Sequence, residues 1–495
     1  MLYETTIPAE EVSRCLLCDH ALCTQACPHG LDPAGILRSL LLDNPVGAAA
    51  KLNKNYFCAE CAAPCEGACV QKTNPVHIRH ILTALHEDSL TWEQLSETPV
   101  DLSCDFLGVH LENPFLLSSS VVASSYEKIS RAFEAGWAGA CYKTLCDFVP
   151  REASPRYSSL PAEHGFCGFK NIEQLSCNSL QEDLDIIRRL KHDYPGKVII
   201  ASVMGRNDEE WERLARLAQE AGADMVECNF SCPNMEQEGL GVDIGQDTQA
   251  VAQCTAAARR GCTIPLLAKL TPNVADMRPF AHAAMKSGAD GISAINTIKS
   301  LMGMNFDTYA TGPSVRGLSS VGGYSGRAVK PIALRFIWEM ASDPQLQNAP
   351  ISGMGGIETW RDAVEFLLLG ANHVQITTAV MQYGTRIIED LTDGLRWYLR
   401  EKALTRLSDL QGLGVENVTG LEELNRQTKL LPRIDRKKCL GCGRCALSCR
   451  DGGHEALRMV NGKPVMDANV CVGCHLCVLV CPINAISPYG KRVKL

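Results

Sequence analysis

No run of eighteen or more apolar residues occurs in this 495-residue chain, so nothing in it reads as a transmembrane helix. The opening stretch, MLYETTIPAEE, lacks the basic start and apolar core of a secretory signal. Low-complexity tracts and solenoid repeats are missing as well. No Gly-x-Gly-x-x-Gly follows a strand-like run with an acidic residue about twenty positions on, so the chain has no dinucleotide fingerprint of its own. Positive charge is not in excess: 48 Lys and Arg stand against 56 Asp and Glu, a net charge of −8. That balance gives no overall attraction to nucleic acid or to an anionic membrane. Together these absences lead us to expect a soluble, cytoplasmic protein with neither nucleic-acid nor membrane partners.

What the chain does have is cysteine. Its length implies two to four domains, and its 46% hydrophobic and 21% charged content is that of a globular protein. Twenty-five cysteines are present: sixteen in two tightly spaced terminal groups and nine scattered between them. In a small secreted chain they would read as disulfides; in a large chain without an export signal, clusters at x₂ spacings read as ligands around metal centres.

Between the two groups, short apolar runs alternate with amphipathic stretches, the βα rhythm of a parallel barrel. Eight strands are expected, at 115–119, 140–144, 198–204, 225–230, 266–270, 291–295, 351–354 and 373–376. The fold class is therefore α/β, a (β/α)₈ TIM barrel, with a doubly wound sheet as the competing architecture. The expected domains are a helical iron–sulfur domain at 1–98, the barrel at 99–400, a linker at 401–432 and a two-cluster ferredoxin-like domain at 433–495. Long segments at 145–197 and 299–324 leave the ends of strands two and six, where barrel active sites assemble, and are candidate lids.

The C-terminal group is the most specific motif. Cys439-x₂-Cys442-x₂-Cys445-x₃-Cys449 precedes Cys471-x₂-Cys474-x₂-Cys477-x₃-Cys481-Pro482. This is the bacterial two-cluster ferredoxin run, in which the fourth cysteine of each half ligates the other cluster. One [4Fe–4S] centre then takes Cys439, Cys442, Cys445 and Cys481, and the other Cys471, Cys474, Cys477 and Cys449. Zinc is the alternative. The eleven Lys and Arg against four Asp and Glu in 433–495 compensate cluster charge.

At the other end stand Cys15-x₂-Cys18-x₄-Cys23-x₃-Cys27-Pro28 and Cys58-x₂-Cys61-x₃-Cys65-x₃-Cys69. Zinc is again the alternative to iron–sulfur. In the barrel, Ser352-Gly-Met-Gly-Gly356 and Gln375-Ile-Thr-Thr378 close strands seven and eight, where backbone N–H groups of flavin barrels meet the phosphate. Lys143 and Lys269 end strands two and five and place positive charge where a flavin's N1–C2=O edge would lie.

Several motifs together resemble the dihydropyrimidine dehydrogenase family, and through it the bacterial FMN and iron–sulfur catalytic subunit. They are Arg131-Ala-Phe-Glu-Ala-Gly-Trp137, Asn171-Ile-Glu173, Asn229-Phe-Ser-Cys-Pro233, Ala268-Lys-Leu-Thr-Pro-Asn273, Asn296-Thr297, Gly323-Tyr-Ser-Gly326 and Gly353-Met-Gly-Gly-Ile357. The N-terminal cysteines resemble those of the glutamate synthase small subunit as well. The resemblance implies an oxidoreductase acting on CH–CH groups that reversibly reduces uracil or thymine to the 5,6-dihydropyrimidine. Hydride would pass from FMN N5 to C6, and the catalytic Cys232 would protonate C5. It implies FMN bound by Ser119, Lys143, Thr144, Asn229, Lys269, Gly326, Gly355, Gly356, Thr377 and Thr378, and the pyrimidine held by Asn171, Asn229, Ser231, Asn296 and Thr297. An Asn amide complements the alternating C=O and N–H edge of uracil without adding charge.

By the same resemblance one N-terminal cluster takes Cys15, Cys18, Cys23 and Cys69, and the other Cys27, Cys61, Cys65 and a ligand beyond Cys69. The family's Gln in that last place aligns with Leu82, which cannot ligate iron; Cys58, His77, His80 or a shifted register are the alternatives. The NADPH and FAD domains of the animal enzyme are absent, so electrons are expected singly from an NAD(P)H-binding flavoprotein subunit or a ferredoxin. The resemblance also implies a homodimer or hetero-oligomer. Two rival readings stand beside this one: a dihydroorotate dehydrogenase or other cyclic-amide oxidoreductase, and a non-catalytic electron-transfer subunit.

Overall fold

The computed structural model describes residues 6–52, 58–92, 99–162, 165–232, 234–235, 241–346 and 349–494; Pro233 of the Asn229 motif lies outside them. Eight strands form a closed parallel barrel. They are β1 (Phe115–Leu117), β2 (Gly139–Leu145), β3 (Val198–Val203), β4 (Met225–Asn229), β5 (Leu266–Lys269), β6 (Gly291–Ala294), β7 (Ile351–Met354) and β8 (His373–Ile376). Neighbours in sequence pair throughout, and β8 closes on β1 with Val374 opposite Phe115. Every residue of these strands is buried. That is why each reads as a continuous apolar run such as VIIASV rather than as an alternation: helices cover one face and the barrel interior the other. The helices between them are capped where the chain predicts. Ser179 and Glu182 form a capping box before Leu180–Asp193, and Thr359 with Asp362 does the same before Trp360–Leu368.

Before the barrel, the hairpin of Cys104–Phe106 and Val109–Leu111 closes its N-terminal end, Phe106 and Leu111 packing on Leu116, Val198, Met225 and Leu267. At the opposite end the two long insertions join. Strands Ile298–Ser300, Gly322–Ser325, Phe166–Asn171 and Tyr157–Pro161 pair in that order into one antiparallel sheet. The two candidate lids are thus one structure. The fully buried Lys170 clamps it, its ammonium donating to Gly312 O at 3.0 Å and Ser320 O at 2.7 Å.

Residues Met1–Glu416 and Asn417–Leu495 divide into two compact units. In the first, a small helical N-terminal domain packs on the barrel. Arg38, on helix Pro33–Leu41, donates from Nε to Asp390 at 2.7 Å, and its guanidinium also pairs with Glu389. Asp390 is fully buried and takes further bonds from Ser39 and Asn44. Trp360 Nε1 donates to Asp43 O at 2.7 Å, and Arg386 to Leu17 O at 2.5 Å. The second unit holds short antiparallel pairs, Leu457–Val460 with Lys463–Met466 among them, and the helix Arg444–Gly452. No helix among the described residues is long and apolar enough to cross a membrane.

Candidate active site and thiol clusters

The C-terminal ends of the barrel strands and the underside of the insertion sheet enclose one pocket of about 1110 Å³, open solvent included. Ser119, Lys143, Thr144, Asn229, Lys269, Gly326, Gly355, Gly356, Thr377 and Thr378 all line it, and so do Asn171, Cys232, Asn296 and Thr297. Ser231 does not. It is fully buried behind the wall, where its hydroxyl bonds Asn229 Oδ1 at 3.1 Å and receives Asn296 Nδ2 at 2.6 Å.

One end of the pocket is built of backbone. Gly355 and Gly356 have φ of +126° and +80°, and a Cβ on Gly356 would meet Gly326 O at 2.8 Å and Lys330 N at 2.9 Å. Only glycine fits such a conformation and such an approach. Ser120 and Ser325 hydroxyls hold Thr377 and Thr378, each at 3.0 Å. This cradle, with both lysines at strand ends, fits a flavin phosphate and ring. Lys269 lies 3.4 Å from the fully buried Glu227, and Lys143 3.5 Å from Glu173. Gln375 also faces the pocket, and its Oε1 is buried with no protein partner.

Cys232 follows β4 and is 7% exposed. Burial pushes its thiol up to about 11, against the opposing pull of the Asn234 N–H and of Lys143 and Lys269. The amides around it are unequally committed. Asn229 is spent on the wall: Nδ2 donates to Thr144 at 2.9 Å, and Oδ1 accepts from Ser231 and Asn296. Asn296 Oδ1 accepts from Thr297 N at 2.7 Å. Asn234 bridges to the insertion sheet, donating to Glu173 O at 2.6 Å and Asn171 Oδ1 at 3.1 Å, while its own Oδ1 is buried without a partner.

Neither Asn234 nor Glu173 was expected as a site residue; Glu173 closes the Asn171-Ile-Glu173 motif, and Asn234 directly follows Asn229-Phe-Ser-Cys-Pro233. Glu358, which lines the cradle, was missed altogether. Burial raises its carboxyl to about 7, with Arg327 pulling the other way.

The terminal cysteines gather into small apolar pockets. Cys15, Cys18, Cys23 and Cys69 line one, with Leu22, Leu37, Val76 and Ile78 around them. Cys27, Cys61 and Cys65 do not line that pocket; Cys27 and Cys65 belong with Cys58 to the N-terminal core, and the Cys61 N–H bonds Cys58 O at 3.2 Å. In the second unit, Cys449, Cys471, Cys474 and Cys477 line one pocket with Leu457, Met466 and Leu476. Cys439 and Cys442 lie within electrostatic reach of Cys445. The thiols of Cys439 and Cys481 accept backbone N–H bonds from Gly441 and Ala485 at 3.4 and 3.2 Å. Zinc would draw its thiolates to about 3.8 Å of one another, given a Zn–S bond of about 2.3 Å. Thiols at the corners of an apolar pocket suit a cubane, a soft and bulky group.

Comparison with known proteins gives the family of each region. Residues 101–399 match the family model for dihydroorotate dehydrogenase, 432–487 that for a 4Fe-4S dicluster domain, and 2–91 that for dihydropyrimidine dehydrogenase domain II, 4Fe-4S cluster. The NAD-dependent dihydropyrimidine dehydrogenase subunit PreA of Escherichia coli K12 is 52% identical over 358 residues, 72% of this chain and 87% of that protein. The chloroplastic NADP⁺ dihydropyrimidine dehydrogenase of Arabidopsis thaliana is 35% identical over 68% of this chain and 82% of its own length. The catalytic subunit of dihydroorotate dehydrogenase B (NAD⁺) from Pyrococcus abyssi is 37% identical over 64% of this chain and 99% of its own length.

Proposed function

This chain belongs to the dihydropyrimidine dehydrogenase family, and from that premise we propose how its residues reduce uracil and thymine to 5,6-dihydropyrimidines. It carries FMN in the barrel and [4Fe–4S] clusters in the domains at both ends. In our reading Gly326, Gly355, Gly356, Thr377 and Thr378 take the flavin phosphate, and Ser119, Lys143, Thr144 and Lys269 take the ring, with Asn229 holding Thr144 in place. FMN, when bound, supplies the hydride for C6 of the pyrimidine.

The remaining chemistry belongs to the protein. Asn171, Asn234, Asn296 and Thr297 present an uncharged donor and acceptor edge to the base, with Ser231 and Asn229 fixing Asn296 from behind. Cys232 gives its proton to C5. A thiol held near 11 keeps that proton at neutral pH, and the Asn234 N–H and both lysine charges stabilise the thiolate left behind. Hydride and proton together account for the two electrons and two protons gained by the C5–C6 bond.

The cluster ligands we assign are Cys15, Cys18, Cys23 and Cys69; Cys27, Cys61 and Cys65 for a second N-terminal cluster; Cys439, Cys442, Cys445 and Cys481; and Cys449, Cys471, Cys474 and Cys477. Electrons enter singly from a partner, an NAD(P)H-binding flavoprotein subunit or a ferredoxin. The observation that supports this reading most is that one pocket holds the glycine cradle, both lysines and the buried thiol. The test is to reduce the cluster-loaded protein chemically without oxygen, add uracil, thymine or orotate, and follow loss of pyrimidine absorbance. Uracil and thymine should be consumed. Consumption of orotate alone would place the chemistry with dihydroorotate, and silence from all three would favour an electron relay.

A further inference from the structure

The second N-terminal cluster is one ligand short. The place where the family has a side-chain ligand is held here by Leu82, 1% exposed and without a donor atom. We propose that Cys58 supplies the missing ligand, making a four-thiolate site of Cys27, Cys58, Cys61 and Cys65. The inference rests on the iron–sulfur reading of this domain and completes it.

Cys58 opens a single 3₁₀ turn, Cys58–Glu60, and its carbonyl accepts the Cys61 N–H at 3.2 Å. The turn carries the two cysteines of a C-x₂-C pair on one short loop, the spacing seen twice in each C-terminal cluster run. Cys58 is 7% exposed and Cys65 9%, in one apolar core that Cys27 also joins. The Cys58 thiol lies within electrostatic reach of Cys27 and Cys61, and Cys65 within reach of Cys27 and Cys58. The loop is anchored from the other side as well. Arg79 donates its backbone N–H to Glu66 at 2.8 Å and its guanidinium to Cys61 O at 3.0 Å, which sets the first turn of helix Ile78–Thr91 against the ligand loop.

The competing donors face elsewhere. His77 is exposed, and its backbone N–H and ring Nδ1 both address Glu11, at 2.8 and 3.3 Å. His80 is exposed on the same helix. Cys15, Cys18, Cys23 and Cys69 surround their own pocket. The eight N-terminal cysteines therefore divide four and four. A fourth thiolate adds a negative charge that a neutral ligand would not, which makes this cluster harder to reduce than a family member's with a neutral fourth ligand.

The test compares full-length, anaerobically reconstituted wild type with Cys58→Ala and Cys58→Ser by iron and sulfide content and by electron paramagnetic resonance of the oxidised and reduced protein. We expect Cys58→Ala to lose about four iron and four sulfide per chain, or about one iron with a three-iron signal appearing. Flavin content should not change. Cys58→Ser, whose oxygen can still ligate, should keep its iron with shifted resonances, a change that a buried cysteine of purely structural role would not produce. If Cys58→Ala fails to fold, the serine variant decides. Wild-type iron and an unaltered spectrum in the foldable variants would overturn the assignment. Wild-type protein with only the C-terminal complement, about eight iron, would instead refute the iron–sulfur reading of the domain itself.

Discussion

Glu358 lies at the edge of the glycine cradle, and its carboxyl is raised from the usual 4.5 to about 7 by burial. A raised carboxyl is held protonated by the folded state, so the stability it contributes is present at low pH and is lost as pH climbs through about 7. The same deprotonation puts a negative charge beside the phosphate site. Flavin affinity of the flavin-free protein should therefore fall between pH 6 and 8, and Glu358→Gln should flatten that dependence; fluorescence titration of FMN at each pH measures both. Gly356 makes a steric counterpart. Because its Cβ would press on the backbone of Gly326 and Lys330, Gly356→Ala should strain the cradle by about 1–3 kcal/mol. Purified protein should then carry less FMN while its far-ultraviolet circular dichroism stays that of the parent. Legibility varied among the residues. Cys232, the lysines and the glycines were readable because strand ends and motifs mark them. Asn234 was harder: what matters in it is an unpaired oxygen, visible only once Asn171 and Glu173 arrive from the insertion sheet.

At the scale of elements, all eight barrel strands were legible, their ends within a few residues, because burial on both faces leaves an unbroken apolar signature. The insertion sheet was not. Tyr157–Pro161 is largely exposed, only Gly168, Phe169 and Lys170 of Phe166–Asn171 are buried, and the latter strand's partner Gly322–Ser325 lies some 150 residues away, a pairing that no local periodicity reveals. Lys170 is the joint of that sheet. Lys170→Met keeps the length of the side chain but removes its bonds to Gly312 and Ser320, loosening the insertion sheet, whose Tyr157, Phe169, Asn171 and Tyr324 line the pocket. We expect KM for uracil to rise roughly tenfold, about 1.4 kcal/mol, with kcat little changed in steady-state assays. The Arg38–Asp390 pair plays the same part for the N-terminal domain. Arg38→Ala leaves a buried carboxylate short of its main cation, a loss of about 3 kcal/mol, and limited proteolysis should then release the domain from the barrel before the barrel itself is cut.

Across the whole molecule, cysteine spacing marked the two terminal 4Fe-4S regions and the βα rhythm marked the barrel between them, and the family was legible in motifs spread from Arg131 to Ile357. The division of the chain between Glu416 and Asn417 falls in a stretch whose composition gave no sharper sign than a helical linker. Because no dinucleotide fingerprint is present, the isolated holoprotein should not oxidise NADH or NADPH, and adding a flavoprotein that does, or reduced ferredoxin, should start uracil reduction. The central claim is that Cys232 provides the proton to a pyrimidine reduced in the barrel pocket. Stopped-flow mixing of chemically reduced wild type and Cys232→Ala with uracil at neutral pH, without oxygen, tests it most directly. Wild type should show rapid flavin reoxidation and the variant a rate about 10²–10⁴-fold lower, with uracil binding and flavin content retained. Equal rates in the two proteins would contradict it.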